Sequence, residues 1–254
     1  MVEEGCLADV NEVYGFHNIP NFDEGDIRVC EGPFLANSVT VSITVTGQGG
    51  HGSAPHRCVR DPITATTSIL NAFHSIKARN IDSRQNVVFS ICHVESGDTY
   101  NVFPDTATMR GTMRVYDDDL KAQMIERITK IAESVAEAHE CTAVVDIKDK
   151  YPAVINHKEQ ADHVIRLAKK HLGEDNFSQD ELPLSAGEDF AYFLQEIPGC
   201  FYALGTMKEG QQLRTLHASN YDYNDDLIAT GAYFYIRIVE DRLQATILPP
   251  EAGH

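Results

Sequence analysis

The chain has 254 residues, 43% hydrophobic and 23% charged, an ordinary globular composition with length for one large or two modest domains. Its net charge of −17 and pI near 4.9 set up a field that repels nucleic acid and anionic membranes, so neither is expected as a partner. No apolar run reaches the ~18 residues of a membrane span, and the acidic start Met1-Val2-Glu3-Glu4-Gly5 has neither the basic nor the apolar region of a signal peptide, so a cytoplasmic setting is expected.

Taken in order, Val13 to Pro20 reads as a short strand ended by a His-Asn-x-Pro turn, and residues 21–36 as a connecting stretch. From Asn37 the pattern turns regular. Val39, Val41, Ile43 and Val45 alternate with Thr40, Ser42, Thr44 and Thr46, a half-buried strand. The loop Gly47-Gln48-Gly49-Gly50-His51-Gly52-Ser53-Ala54-Pro55-His56 follows. Its glycines open backbone angles and close approaches denied to other residues. Asp61 then caps a helix that Pro62 starts, with Thr66, Ile69, Leu70, Phe73 and Ile76 on one face.

Residues 86–95 and 105–116 are two further strands. A long helix opens at Asp117–Asp119, whose acids complement its dipole, and buries Leu120, Met124, Ile128, Ile131, Val135 and Ala138. Residues 141–147 are a fourth strand. The order over 37–150 is β-α-β-β-α-β, the split βαβ arrangement of ferredoxin-like domains. Beyond Tyr151-Pro152, Asn156 is placed to cap a helix ended by Gly173. Residues 174–184 read as a polar loop, and Ser185–Phe193 opens another helix. Residues 200–204 form a buried strand. A last helix from about Asp225 to Leu243 is expected to bury Leu227, Ile228, Ala232, Tyr235 and Val239, with a loose tail after it.

The six cysteines, Cys6, Cys30, Cys58, Cys92, Cys141 and Cys200, include no C-x-x-C pair and read as free buried thiols in a reducing compartment.

Six motifs stand in one order: Tyr14-Gly15-Phe16-His17-Asn18-Ile19-Pro20; Gly49-Gly50-His51 with Pro55-His56 and Asp61-Pro62-Ile63; Asn101-Val102-Phe103-Pro104-Asp105; Gly111-Thr112-Met113-Arg114; Glu188-Asp189-Phe190; and Leu204-Gly205-Thr206 with Leu216-His217. Together they resemble the C-terminal part of M20-family metallohydrolases, most of all the amidohydrolase branch of hippurate, N-acyl-amino-acid and plant auxin-conjugate hydrolases. The resemblance covers nearly the whole chain.

It implies an α/β fold: residues 1–36 and 151–254 as part of a zinc-peptidase-like catalytic domain, and 37–150 as an inserted ferredoxin-like dimerisation lid. It also implies two divalent metal ions, zinc or manganese, with His17 and His217 matching two of the ligands. Imidazole suits either metal. His51 matches the histidine that reaches into a partner subunit's site and stabilises the oxyanion, while His56 is read as support for the loop. Asn101 matches a substrate-binding asparagine and Arg114 the arginine that grips a substrate carboxylate. Arg110 shares the strand and the face, so the choice between the arginines rests on the resemblance. Glu188 and Asp189 line or brace the site, or cap the next helix. The implied partner is an N-acyl amino acid, and the implied assembly a homodimer paired through the strand from Val39 and the helix from Pro62.

The family's other ligands, a Cys-x-His stretch and a Glu pair that includes the general base, precede the Tyr-Gly-x-His segment and have no counterpart here. Glu3-Glu4 matches a later acidic Glu-Glu-Gly, and no His stands two positions after Cys6. His217-Ala218-Ser219-Asn220 departs from the family's His-Ser-Pro. The expectation is a chain that starts after the first ligands and is nearly inactive alone. The alternative is a non-catalytic dimerisation and ligand-binding module.

Overall fold

The computed structural model describes residues 1–57 and 60–248. In chain order its elements are β1 (Val13–Asp23), β2 (Ile27–Arg28), β3 (Gly32–Leu35), β4 (Ser38–Thr46), β5 (Gly50–His51), α1 (Pro62–Asn80), β6 (Val87–Ser96), β7 (Val102–Phe103), β8 (Thr106–Val115), α2 (Asp118–Ala138), β9 (Thr142–Tyr151), β10 (Val154–Asn156), α3 (Lys158–Leu172), β11 (Phe177–Ser178), α4 (Ala191–Glu196), β12 (Gly199–Met207) and α5 (Leu227–Leu243). They divide into two compact units. Unit 1 takes residues 1–34, 154–184 and those from 190 onward; unit 2 takes 35–153 together with 185–189.

Unit 2 is built on an antiparallel sheet in the order β6-β8-β4-β9. The alternation in β4 puts Val39, Val41, Ile43 and Val45 fully inside, each burial stabilising by ~1.5–3 kcal/mol. They join Met109 and Met113 of β8, Ile69, Phe73 and Ile76 of α1, and Leu120, Met124 and Ile128 of α2 in one core. Asp61 caps α1, its carboxylate accepting from Ile63 N at 2.9 Å; Asp117 does the same for α2 through Leu120 N at 2.8 Å. Ile131 and Val135 only flank this core and Ala138 is exposed, because Ala132 and Ala136 take the inner face of α2. The strand from Val39 is not a pairing edge either. β4 is hydrogen-bonded on both sides, which leaves β6 and β9 as the edges.

In unit 1 a four-stranded sheet runs β1-β12-β2-β11. β1 and β12 are parallel, from Val13 opposite Gly199 to Ile19 opposite Gly205. No turn ends β1 at Pro20. The strand runs on to Asp23 across a register irregularity, which tolerates a proline because β1 is an edge strand. The supposed connecting stretch also holds β2 and β3. Tyr202, Leu204, Phe234, Ile238, Val164 and Leu167 form the core of this unit.

Several expectations fail here for reasons visible in the packing. Asn156 is not a helix cap. It is 3% exposed, and its amide clasps β12 by accepting from Phe201 N at 2.7 Å and donating to Phe201 O at 2.8 Å and Cys30 O at 3.0 Å. His157 takes the cap position without a side-chain bond to the helix; its Nδ1 accepts from Gly199 N at 3.2 Å instead. The helix expected from Ser185 begins only at Ala191. α5 is turned by one position: it buries Leu227, Gly231, Phe234 and Ile238, while Ile228 and Val239 are 60% and 41% exposed. Gly231 selects that face, since a Cβ there would come within 3.0 Å of the Phe16 ring. The chain after α5 is held as far as Leu248. The buried carboxylate of Glu240 accepts from Ile247 N at 2.5 Å and Leu248 N at 2.6 Å and pairs with Arg237. Of the thiols, Cys141 and Cys200 are buried, Cys30 is partly buried, and Cys6 and Cys92 are exposed; Cys58 lies outside the described residues.

Candidate active-site residues

The two histidines matched to metal ligands belong to unit 1. His17 lies in β1 opposite Ala203, and its Nδ1 bonds to the Asn18 carbonyl at 2.7 Å, which requires a proton there and leaves Nε2 as a free acceptor. His217 is exposed on the loop between β12 and α5 and adopts the left-handed conformation, φ 65°. Non-glycine residues seldom take that backbone region without a local constraint. Backbone bonds from Ala218 N to Thr215 O (3.2 Å) and from Tyr221 N to Ala218 O (3.0 Å) fold the loop locally. Asn18 donates to the Tyr221 hydroxyl at 2.5 Å, and Asn224 donates to Glu24 at 2.6 Å. The His217 loop is thus tied at two points to the strand of His17 and the turn after it. Neither Asn18 nor Tyr221 stood out as a site residue in the sequence, although both lie within four residues of the two histidines.

Unit 2 carries the other candidates. β5 and β7 form a two-stranded ladder with Gly50 opposite Phe103 and His51 opposite Val102, and Gly52 N donates to Asn101 O at 2.8 Å. His51 and Asn101 are therefore neighbours. Glycine is needed in this loop for close approach: a Cβ on Gly49 would lie 2.7 Å from Phe103 O, and one on Gly47 2.1 Å from Arg60 O. Asp105 holds the loop from below by accepting from Gly49 N at 2.6 Å.

The ring of His51 receives the Ser53 backbone N–H on Nδ1 at 3.2 Å, with the Ser53 hydroxyl at 2.9 Å. A backbone amide can only donate, so Nδ1 accepts and the ring proton sits on Nε2 in the neutral form. His51 thus presents an exposed N–H. Ser53 was not singled out from the sequence; its place two residues after His51 was the available signal. Asn101 is exposed, and its Oδ1 accepts from Thr99 at 3.3 Å, leaving the amide NH₂ to donate outward. His56 is also exposed and has no hydrogen-bond partner among the described residues.

Arg114 and Arg110 both point away from the helices, as period two requires. The structure separates them by burial. Arg110 is exposed, opposite Ser42 and His93, whereas Arg114 is half-buried opposite Val88. Arg114 donates to Thr112 Oγ1 at 2.5 Å and Met113 O at 2.9 Å, and no carboxylate pairs with it among the described residues. Burial of its guanidinium lowers its pKa. A desolvated cation with only neutral partners is a ready site for an anion.

The description Peptidase family M20/M25/M40 matches residues 1–241. The chain belongs to this family. It is 34% identical over 240 residues to hippurate hydrolase of Campylobacter jejuni, a match covering 94% of this chain and 61% of that protein. It is also 34% identical over 206 residues to N-acetylcysteine deacetylase of Bacillus subtilis, covering 81% of this chain and 53% of the relative. The solved structure of the Bacillus subtilis YXEP protein, described as a dinuclear metal binding peptidase of the M20 family, superposes with a TM-score of 0.78 at 26% identity, over 96% of this chain and 61% of that one. The chain thus spans about three-fifths of the length of two of these relatives and about half of the third.

In this M20 chain no group of three or more His, Cys, Asp or Glu side chains converges to hold a metal ion among the described residues. His17 and His217 fall short of the about three protein ligands of a catalytic zinc. Glu188 and Asp189 group with unit 2; Asp189 is exposed, and the Glu188 carboxylate accepts from the Asp189 backbone N at 3.0 Å. They do not cap α4, whose N-cap is Phe190 with no side-chain cap bond.

Proposed function

We propose that this chain carries the substrate-recognition part of a metal-dependent amidohydrolase acting on N-acyl amino acids, and that it works as a homodimer. One observation carries the reading. His51 and Asn101 stand together at one end of β8, and Arg114 stands unpaired by any carboxylate near the other. Eight residues of extended strand separate Thr106 from Arg114, roughly 25 Å at about 3.3 Å per residue. No N-acyl amino acid spans that gap. Arg114 of one copy would grip the carboxylate while His51 and Asn101 of a second copy meet the scissile amide.

In that arrangement the chain's own groups do three things. Arg114 orients the substrate through its carboxylate with two parallel N–H donors. His51 offers its Nε2–H to the oxygen that gains negative charge as the amide carbonyl becomes tetrahedral. Asn101 donates beside it. The cofactor of this reading is a pair of divalent ions, zinc or manganese. The described residues do not make a complete site for them, and residues beyond His17 and His217 are needed. The printed names of the relatives, a hippurate hydrolase and an N-acetylcysteine deacetylase, support the substrate class.

The test is ligand binding by the chain itself. Hippurate and its amide, hippuramide, are titrated against wild type and Arg114→Ala and followed by NMR. A charge-assisted bidentate contact of about 1.5–3 kcal/mol predicts roughly a 10–100-fold preference for hippurate, lost in the variant. Equal affinity of the wild type for both ligands overturns the reading.

The shortage of metal ligands favours a second reading, a dimerisation and ligand-binding module without catalysis. Stoichiometric, high-affinity zinc uptake by the chain excludes it. A chain sedimenting only as monomer at high concentration overturns the composite site in both readings.

A further inference from the structure

The outer face of the unit 2 sheet, away from α1 and α2, carries more positive charge than one carboxylate needs. Arg114 and Arg110 both stand on it, with Thr112 between them along β8. Arg114 leans back over that threonine. Its Nη1 donates to Thr112 Oγ1 at 2.5 Å and to Met113 O at 2.9 Å, while the Thr112 hydroxyl donates to Val39 O at 3.3 Å. The threonine is thereby fixed, and the guanidinium is held on the Arg110 side of its own Cα. Nε and Nη2 of Arg114 keep their protons for a ligand, and this pair is a fork that takes a carboxylate side-on.

Arg110 borders the same space from the other side. It is exposed and has no hydrogen-bond or ion-pair partner among the described residues. The two acids flanking it on this face are placed elsewhere. Glu95 stands opposite Thr108, and Asp146, opposite Ser42, has Lys148 at 3.8 Å. Hydroxyls surround the space: Thr40 and Ser90 stand on either side of Thr112.

A bulge in β6 brings a further donor. The ladder is regular up to Ile91, opposite Gly111, and regular pairing would set Cys92 against Arg110. The register slips by one residue there, and His93 takes the place. Strict alternation would send His93 to the helix side with Phe89 and Ile91; the extra residue turns it to the outer face. Residues directly opposed in such a ladder hold their Cβ atoms about 4.5–5.5 Å apart. Gly111 admits the bulge, since a Cβ there would lie 2.1 Å from Ser90 O. Bulges of this kind re-aim side chains at functional sites.

We infer that Arg110, with His93 beside it, forms a second anion subsite next to Arg114, and that the preferred substrate is an N-acyl glutamate, whose side chain carries a second carboxylate. The subsite rests on the proposed role of Arg114 as anchor of the α-carboxylate. Thr112 and Arg110 lie two residues apart, roughly 7 Å of strand at about 3.3 Å per residue. The two carboxyl carbons of extended glutamate are roughly 5 Å apart at about 1.5 Å per carbon–carbon bond. One glutamate therefore bridges from the guanidinium over Thr112 to that of Arg110. Aspartate is one carbon shorter, and a neutral side chain leaves Arg110 without a counter-charge.

The experiment titrates the 254-residue chain with N-benzoyl-L-glutamate and its neutral isostere N-benzoyl-L-glutamine, followed by NMR. Hippurate and hippuramide, titrated alongside, report on Arg114. Arg110 faces water, where salt screens it, so the expected preference for the glutamate ligand is about three- to tenfold and shrinks in high salt. Arg110→Gln alters an exposed side chain, so the fold survives, as circular dichroism checks, and the preference is expected to fall to about one. Arg110→Lys, which keeps the charge and loses the fork, is expected to retain part of it. Wild type that prefers hippurate to hippuramide yet binds both benzoyl ligands equally overturns the second subsite and leaves the Arg114 reading standing. So does a glutamate preference that survives Arg110→Gln in a folded chain. Wild type indifferent within both pairs overturns the Arg114 reading and the second subsite with it.

Discussion

Asn156→Asp separates two accounts of one residue. If Asn156 capped α3, aspartate would serve as well and stability would change by a few tenths of a kcal/mol. In the structure Asn156 is instead a buried clasp with one acceptor used by Phe201 N and two donors used by Phe201 O and Cys30 O. An ionised carboxylate keeps the acceptor and loses both donors. The part-buried Cys30 carbonyl then loses its Asn156 donor and the Phe201 carbonyl keeps only the weak Cys200 thiol contact at 3.7 Å, each loss costing about 1–3 kcal/mol, and both face a negative charge. The expected loss is roughly 2–6 kcal/mol, a large part of the about 5–15 kcal/mol that holds an ordinary domain together. The deficit carries a pH signature. The site raises the pKa of the introduced carboxyl above its unfolded value near 3.9, so the loss is smallest in acid and grows as pH rises through that interval. The assay is urea unfolding of the chain, read from exchange protection of the β12 amides so that unit 1 reports its own transition. A change within about 0.5 kcal/mol at pH 7 would refute the clasp and restore the cap.

Glu240 gives a second pH test. Its carboxyl is held at about 2, below the usual 4.5, chiefly by the Leu248 and Ile247 amides. A depressed folded pKa gives stability that is present above the unfolded value and lost as pH falls towards 2. Glu240→Gln is therefore expected to loosen residues 245–248 at pH 7 and to match wild type near pH 2, as amide exchange of Ile247 and Leu248 would show; equal exchange at pH 7 contradicts the contact. Asp61→Ala should cost unit 2 about 1 kcal/mol in urea unfolding, and Asp61→Asn only a few tenths, because asparagine still accepts from Ile63 N. Gly49→Ala should break the β5–β7 ladder, since its Cβ would sit 2.7 Å from Phe103 O. The Gly52 amide would then lose its protection, and a protected Gly52 in that variant contradicts the tie between His51 and Asn101.

Much of unit 2 was legible in the residues. The alternation from Val39 to Thr46 and the Asp61-Pro62 start are local signals, and local sterics and hydrogen bonds decide their outcome. The candidate site was legible only as residue types. Sequence spacing places His51 and Asn101 fifty positions apart, and only the β5–β7 ladder makes them neighbours. Arg110 and Arg114 have the same period and strand, so their difference in burial had no local signal at all.

Unit 1 shows what the sequence by itself determined and what it left to tertiary structure. Helix and strand periods in α3, α5 and β12 follow from residue order, because each is a property of a short window. The face that α5 buries does not. Two apolar stripes lie side by side on it, Leu227-Phe234-Ile238 and Ile228-Tyr235-Val239, and hydrophobicity cannot rank them. The choice falls to Gly231, whose missing side chain admits the Phe16 ring from a strand more than two hundred residues earlier. The same holds for Asn156, equally suited to a cap or a clasp until Phe201 and Cys30 arrive beside it. Pro20 breaks a central strand but not an edge strand, and which of these β1 is depends on neighbours it meets only in the folded state. Where several local arrangements cost nearly the same, contacts with distant residues decide among them, and a single window of sequence holds no record of those contacts.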